Sequence, residues 1–516
     1  MQRRHLMLGS AAVLALPKLS SAASSTEATA ASQAQAMASG RLTSERLVQD
    51  YLTRIANIDK AGPRINSIIE LNPDARAIAR ELDGERRAGK LRGPLHGIPV
   101  LLKDNIATGD KMHTTAGSLA LADLRVSRDA HLVQRLRAAG AVILGKTNLS
   151  EWANIRSTRS VSGWSARGGL TRNPYALDRN TSGSSSGTAA AIAADLATLG
   201  VGTETDGSIV SPSSICGLVG LKPTLGRISR DGIIPIAHSQ DTAGPMTRTV
   251  ADAALLYAAM CGPDAVDAVT RAAPDAAGKL DAGLIKGARL GVARNYFTGF
   301  DEADAAIEAA IAKLRELGAE IVDNAELAPP SYGDAEFSVL LYELKENLAQ
   351  WLKAFAPGHK IRNLADVIAF NAQHRAQEMP WFGQELFEKA QALGDLSTPA
   401  YREALAACAK GAREEGLDKA FKAQRLDALI APTGGLAWLT DPVAGDHYGS
   451  SFSTPAAVAG YPHLTVPAGH VRGLPLGLSF VGPAWSEWKL LSLGLAFEQA
   501  TRHRRAPAFV KRTVPL

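Results

Sequence analysis

The segment at residues 173–226 determines how the rest of the chain is interpreted; it reads NPYALDRNTSGSSSGTAAAIAADLATLGVGTETDGSIVSPSSICGLVGLKPTLG. Small residues crowd at 183–187 and 207–208, and the alanine-rich run 189–197 between them predicts a tightly packed buried helix. Glycine accepts sharp turns and lets other groups approach closely, so these turns predict rigid backbone with available N–H donors. A flexible Ser/Gly linker has a similar composition. A linker, however, would not lead directly into an apolar helix and a second Gly-Ser turn.

Several motifs in a fixed order resemble those of the amidase signature family. The sequences GSSSGT at 183–188, GTETDGSIV at 202–210 and CGLVGLKPT at 216–224 correspond to family patterns close to GGSSGGS, GTDxGGSIR and CGxxGLKPT. Upstream, GIPVLLKD at 97–104 matches the family's GIPxxxKD. The resemblance extends from about residue 44 to about residue 502.

The resemblance implies a catalytic relay in which Ser208 is the nucleophile, Ser184 the bridge and Lys103 the base. The two serines keep the family spacing of 24 residues, since 208 − 184 = 24. No cofactor and no metal is expected. The residues predicted to hold the oxyanion or the substrate are Thr205, Asp206, Gly207, Ser208 and Ser185.

Lys103 closes an apolar run, and a lysine at the end of a strand is ordinarily solvated. To act as a base it must be neutral, whereas the reference pKa of lysine is about 10.4, so burial has to lower that pKa by several units. We therefore expect no unscreened carboxylate beside it, and Asp104 should point elsewhere. The resemblance also implies a cis peptide bond at Gly183-Ser184.

Two departures from the common family pattern lie beside the nucleophile: Asp206 replaces a glycine and Glu204 replaces an aspartate. With GRISRDGIIPI at 226–236 and SQDTAGP at 239–245, they resemble the bacterial peptide amidase branch. That branch implies removal of ammonia from the C-terminal carboxamide of short peptides. The alternatives are a broad aryl or aliphatic amidase, the amidase subunit of a glutamine-dependent amidotransferase, and an exported amide-binding protein without catalysis.

Strand and helix patterns alternate along the chain, which indicates an α/β fold: a mixed, mostly parallel sheet covered by helices on both faces. We expect a single domain at 44–516 that carries a helical insertion at 301–425 on the substrate side. The insertion is rich in aromatic residues, namely Trp351, Trp381, Phe382 and Phe387. We expect these side chains to belong to the hydrophobic core rather than to the active site.

The N-terminus is typical of an export signal rather than of folded structure. Arg3 and Arg4 precede an apolar run at 6–16 and a small-residue stretch at 20–23, so residues 1–23 are predicted to be a twin-arginine signal for the periplasm. An uncleaved amphipathic terminus is the alternative. The run is too short for a membrane span. Residues 24–43 are expected to form a flexible spacer.

Composition excludes several other classes. The net charge of +5 over 516 residues is weak and unclustered, so nucleic acid is not an expected partner. Cys216, Cys261 and Cys408 are too few and too widely spaced for a disulfide framework or a zinc site. No obligatory protein partner is expected either.

Overall fold

The computed structural model of the protein describes residues 27–323, 325, 327 and 330–512; the predicted export signal at 1–23 lies outside them. The strands are β1 (Ile68–Leu71), β2 (Pro99–Lys103), β3 (Val142–Thr147), β4 (Trp164–Ser165), β5 (Gly169–Leu170), β6 (Leu199–Glu204), β7 (Val219–Lys222), β8 (Thr242–Thr247), β9 (Arg289–Val292), β10 (Glu320–Val322), β11 (Ala428–Pro432), β12 (His463–Val471) and β13 (Leu474–Val481).

The α-helices are α1 (Ala30–Ala38), α2 (Ser44–Arg54), α3 (Ala75–Arg87), α4 (His131–Ala138), α5 (Ser186–Ala193), α6 (Val210–Ile215), α7 (Val250–Met260), α8 (Asp301–Glu316), α9 (Gly333–Phe355), α10 (Leu364–Gln373), α11 (Arg375–Glu378), α12 (Glu385–Ala392), α13 (Pro399–Ala409), α14 (Asp418–Gln424), α15 (Thr454–Ala459) and α16 (Glu487–Thr501). Within the described residues, no helix is long and apolar enough to cross a bilayer.

Most strands join one large sheet, which in the described part of the chain has the order β1-β3-β2-β6-β8-β7-β12-β13-β11-β9-β10. The blocks β3-β2-β6 and β11-β9-β10 are parallel. The strands between these blocks pair antiparallel, as does β1 with β3. The two parallel blocks are therefore joined by an antiparallel centre.

Alternating side chains of the strands separate the two faces of the sheet, as expected from the two-residue period of a strand. In β2, Val100 and Leu102 pack into a core shared with α4, α7, α8 and α16, whereas Leu101 packs against α2, α3 and α5. At the other end, Leu429 of β11 packs with α13 and α15. Helices thus cover both faces, which confirms the predicted mixed α/β fold.

Helix α1 lies within residues 24–43, for which the sequence predicted a flexible spacer, so that prediction is wrong for this part of the segment. Ala30 and Met37 are buried, and the Gln33 side chain donates to Tyr51 Oη at 2.9 Å and accepts from Thr198 Oγ1 at 2.7 Å. Alanine has the highest helix propensity and small side chains pack closely, so an alanine-rich segment whose one large apolar residue is Met37 can still dock on a core.

The predicted insertion at 301–425 also needs different bounds. Helix α8 packs on β12 and the core of the main sheet, and β10 extends that sheet, so residues 301–322 belong to the main fold. The helical region that reaches the loops beside the candidate site comprises α9 to α12. There, Phe387 contacts Trp152 and Phe382 contacts Trp164, with ring centroids 5.7 and 5.3 Å apart.

Candidate active site

Lys103 is the last residue of β2 and is fully buried, as are the other residues of this strand. Its Nζ donates to Ser184 Oγ at 2.7 Å, to Thr203 Oγ1 at 3.0 Å and to the Thr203 carbonyl at 3.1 Å. Strand β6, which carries Thr203, is the parallel neighbour of β2. The pairing of β2 with β6 therefore holds Lys103 Nζ within hydrogen-bond distance of Ser184.

Burial lowers the pKa of Lys103 to about 7, since the charged ammonium loses its water. The carboxylates of Asp241 and Glu204 act in the opposite direction and raise this pKa. At neutral pH a large fraction of the lysine is thus uncharged and able to accept a proton. Asp104 contacts Thr115 and lies 3.4 Å from Arg167, which agrees with the expectation that it points away from Lys103.

Ser184 lies in the turn that precedes α5, and the peptide bond Gly183-Ser184 is cis. Gly183 is required by close packing: a Cβ at this position would lie 2.2 Å from Ser150 Oγ. The Ser184 carbonyl accepts from the Ser150 N–H at 3.1 Å. The hydroxyl that receives the lysine contact is therefore held on tightly constrained backbone.

Ser208 lies in the second Gly-Ser turn, between β6 and α6, and is 9% exposed, whereas Ser184 is completely buried. Gly207 has φ +78°, a left-handed conformation that favours glycine. Across the described residues, the backbone N–H groups of Gly207 and Ser208 donate to no protein acceptor. They remain available to an anion, as an oxyanion site requires.

Glu204 fixes the far side of this turn. Its Oε2 accepts from the N–H groups of Ile209 and Val210 at 2.7 and 3.1 Å, which satisfies donors at the start of α6. The Ser208 carbonyl accepts from the Ser185 N–H at 3.2 Å, so the two serine-bearing turns are joined directly.

Ser185 does not occupy the predicted oxyanion or substrate position. It is fully buried, and its Oγ donates to the Thr203 carbonyl at 3.0 Å and accepts from the Thr203 N–H at 3.2 Å. Since its backbone N–H is also used, by the Ser208 carbonyl, Ser185 joins β6 to the second Gly-Ser turn and has no polar group left for a substrate. This corrects the sequence prediction.

Asp206 adds a carboxyl group beside Ser208, the predicted nucleophile, as its substitution for glycine predicts. Its Oδ2 accepts from Thr454 Oγ1 at 2.6 Å, and burial raises its pKa. Burial, and to a smaller extent the nearby carboxylate of Asp206, raises the pKa of Glu336 of α9 to about 8. Burial and the neighbouring carboxyl group thus favour the protonated, uncharged form of Glu336.

An open cavity of about 270 Å³ gives access to Ser208. Its wall is strongly polar and combines Gly183, Asp206 and Ser208 with residues far away in sequence: Asn154, Ser162, Asp446, Tyr448, Ser451 and Ser453. Asp446 is fixed by the Ser162 N–H at 3.0 Å and by Trp438 Nε1 at 3.2 Å. The cavity can accept a ligand rich in hydrogen-bonding groups.

Sequence patterns did not reveal Thr203, Asn105 or the 446–453 segment. Thr203 lies in the GTET motif and Asn105 directly follows Lys103-Asp104, so proximity to the motifs was the available signal. Asn105 Nδ2 donates to Thr203 Oγ1 at 2.9 Å and so supports the lysine anchor. The 446–453 segment reaches the site through tertiary folding alone.

The aromatic residues of the helical region are mainly core residues. Trp351, Phe382 and Phe387 are buried, and Trp381 is 48% exposed.

Fully buried Arg156 lies 2.8 Å from Glu151 and 3.5 Å from Glu378 of α11. These contacts fix the loop that supplies Asn154 and Ser162 to the open cavity.

A family model described as Amidase matches residues 46–491. The chain belongs to the amidase family. It is 40% identical over 511 residues to a probable amidase of Arabidopsis thaliana, covering 96% of this chain and 94% of that protein. The crystal structure of native peptide amidase from Stenotrophomonas maltophilia is 51% identical, with a TM-score of 0.90, and the match covers 94% of this chain and 99% of that one.

This amidase is also 35% identical to a glutamyl-tRNA(Gln) amidotransferase subunit of Symbiobacterium thermophilum, over 90% of this chain and 95% of that protein. Together, the family match and the resemblance to peptide amidase show that the protein is an amide-hydrolysing enzyme.

Proposed function

We propose that this amidase hydrolyses the C-terminal carboxamide of short peptides to the free acid and ammonia. The observation that carries the proposal is the 2.7 Å contact from buried Lys103 to Ser184, beside a cavity that exposes Ser208. Such a contact joins a base to a relay hydroxyl next to a candidate nucleophile.

In the proposed reaction, Ser208 Oγ forms a bond to the carboxamide carbon while its proton passes through Ser184 Oγ to neutral Lys103. The N–H groups of Gly207 and Ser208 stabilise the oxyanion. The C–N bond then breaks, and the proton returns through Ser184 to the nitrogen, which leaves as ammonia. Water then attacks the carbonyl carbon of the resulting Ser208 ester and gives its proton to the same relay. The bond between Ser208 Oγ and this carbon breaks, the relay returns the proton to Ser208 Oγ, and the peptide acid is released.

A peptide substrate is supported by the 51% identity to a peptide amidase and by the polar wall of the open cavity. Side chains of Asn154, Ser162 and Tyr448 can pair with the N–H and C=O groups of a peptide backbone. A broad aryl or aliphatic amidase would favour a mostly apolar wall, because small-molecule pockets are ordinarily lined by apolar side chains.

A role in an amidotransferase is favoured by one observation, the 35% identity to the Symbiobacterium thermophilum protein over almost its whole length. That role predicts dependence on a partner, whereas the proposed peptide amidase activity predicts turnover by the purified chain alone. We further propose, from residues 1–23, that the enzyme is exported to the periplasm, where peptides are available.

One peptide in three forms tests the proposal: carboxamide, free acid, and an extension with an internal bond at the same position. The purified chain is incubated with each, and ammonia and product masses are followed. We expect ammonia and a mass gain of about 1 Da from the carboxamide alone. Cleavage of the internal bond, or higher kcat/KM on amides without a peptide backbone, would contradict the proposal.

A further inference from the structure

A second, much smaller cavity lies on the relay side of the site. Its volume is about 10 Å³, and its wall includes Ser184, Asn105, Thr205, Asp241, Ile234 and Ile236. Ala153 lines both this cavity and the open cavity. A space of this size holds about one water molecule.

We propose that this small cavity, here called the ammonia chamber, receives the leaving nitrogen and that its isoleucine wall restricts the enzyme to primary amides. The inference rests on the proposed function. In that reaction the departing nitrogen takes its proton from Ser184 Oγ, so it must lie within hydrogen-bond reach of this oxygen. Ser184 lines the chamber, whereas Ser208 and the rest of the substrate belong to the open cavity.

The chamber also offers an acceptor suited to an N–H group. Asn105 is 4% exposed, and its Nδ2 is used by Thr203 Oγ1. Its Oδ1 is buried and has no hydrogen-bond partner in the described part of the protein. An unsatisfied buried acceptor is costly, and an amide NH2 or ammonia would satisfy it.

The isoleucine wall is held by backbone hydrogen bonds and cannot easily move aside. The Ile234 N–H donates to the Asn105 carbonyl at 2.8 Å, and the Ile236 N–H donates to Asp241 Oδ2 at 2.8 Å. Asp241 Oδ1 in turn accepts from Thr205 Oγ1 at 2.6 Å. A methyl group or the Cα of a following residue on the nitrogen would therefore collide with a fixed surface.

The test compares, for each enzyme form, kcat/KM on one peptide carboxamide and on its N-methylamide. The ratio of the two is independent of the fraction of folded enzyme. We expect the full-length wild type to prefer the primary amide by at least about 100-fold, the discrimination that one carbon can provide in a rigid pocket. Ile234→Ala and Ile236→Ala remove wall carbons, so each should reduce the ratio at least about tenfold.

Ile228→Ala is the matched control, because Ile228 is fully buried in the same part of the chain but does not line the chamber. Its ratio should equal that of the wild type. Comparable wild-type rates on both substrates, or unchanged ratios in both wall variants, would overturn the inference. If the wild type released no ammonia from the peptide carboxamide, the proposed function itself would fail, which is a different result.

Discussion

The pH dependence of turnover follows from the charge of Lys103. Only the neutral amine can accept a proton, and burial places its pKa at about 7. Activity is therefore present above this pH and is lost as the pH falls through it. With a single titrating group, about nine-tenths of the lysine is neutral at pH 8 and about one-tenth at pH 6. The acid limb of kcat/KM, which reports the free enzyme, should fall about tenfold over this interval.

A variant that removes a negative charge near Lys103 tests whether the acid limb of kcat/KM reports the titration of this lysine. Asp241 raises the pKa of Lys103, so Asp241→Asn should move the acid limb to lower pH. Glu302→Gln is the control, since Glu302 forms an exposed ion pair with Arg472 and should leave the limb unchanged. Steady-state kinetics from pH 5 to 10 measures both. An acid limb below pH 5 in the wild type, or no movement in Asp241→Asn, would refute the assignment of Lys103 as base.

Other perturbations examine the same relay. Ser208→Ala should lower kcat by at least about 10⁴-fold, and Ser184→Ala by about 10²- to 10³-fold because water can replace a relay hydroxyl; near-normal turnover by Ser208→Ala would exclude the mechanism. Lys103→Met should be inactive but more stable, since a pKa lowered from 10.5 to about 7 costs about 5 kcal/mol below pH 7. That cost falls by about 1.4 kcal/mol per pH unit between pH 7 and pH 10.5. The free energy of unfolding should therefore increase more in Lys103→Met at pH 6 than at pH 9. An equal increase at the two pH values would contradict the lowered pKa of Lys103. Exhaustive chelation should leave the rate unchanged, because the relay and the N–H donors supply the chemistry; recovery of a lost rate on adding zinc or manganese would show otherwise.

Local patterns predicted the strand that ends at Lys103 and the helix that follows Ser184. The apolar run before Lys103 became β2, and the alanine-rich run became α5, displaced by three or four residues from 189–197 to Ser186–Ala193. The family motifs also indicated Ser184 as the serine beside the lysine, with which the 2.7 Å contact agrees. These features depend on neighbouring residues, which is why a single sequence contains them.

Features that depend on distant residues could not be predicted in this way. The strand order and the antiparallel centre of the sheet follow from long-range packing, as does the arrival of Asp446 and Tyr448 at the open cavity. Ser185 was misplaced because adjacent serines in a turn are indistinguishable until their partners are known. The position of α1 was missed since alanine-rich segments give little hydrophobic periodicity.

Trapping the acyl-enzyme identifies the residue that attacks the carboxamide carbon, which we propose is Ser208. The purified enzyme is mixed with a peptide carboxamide, quenched in acid during turnover, digested and measured by mass spectrometry. We expect the fragment containing Ser208 to gain the mass of the peptide acyl group, and Ser208→Ala to show no such adduct. An adduct on another residue, or full turnover by Ser208→Ala, would exclude Ser208 as the nucleophile.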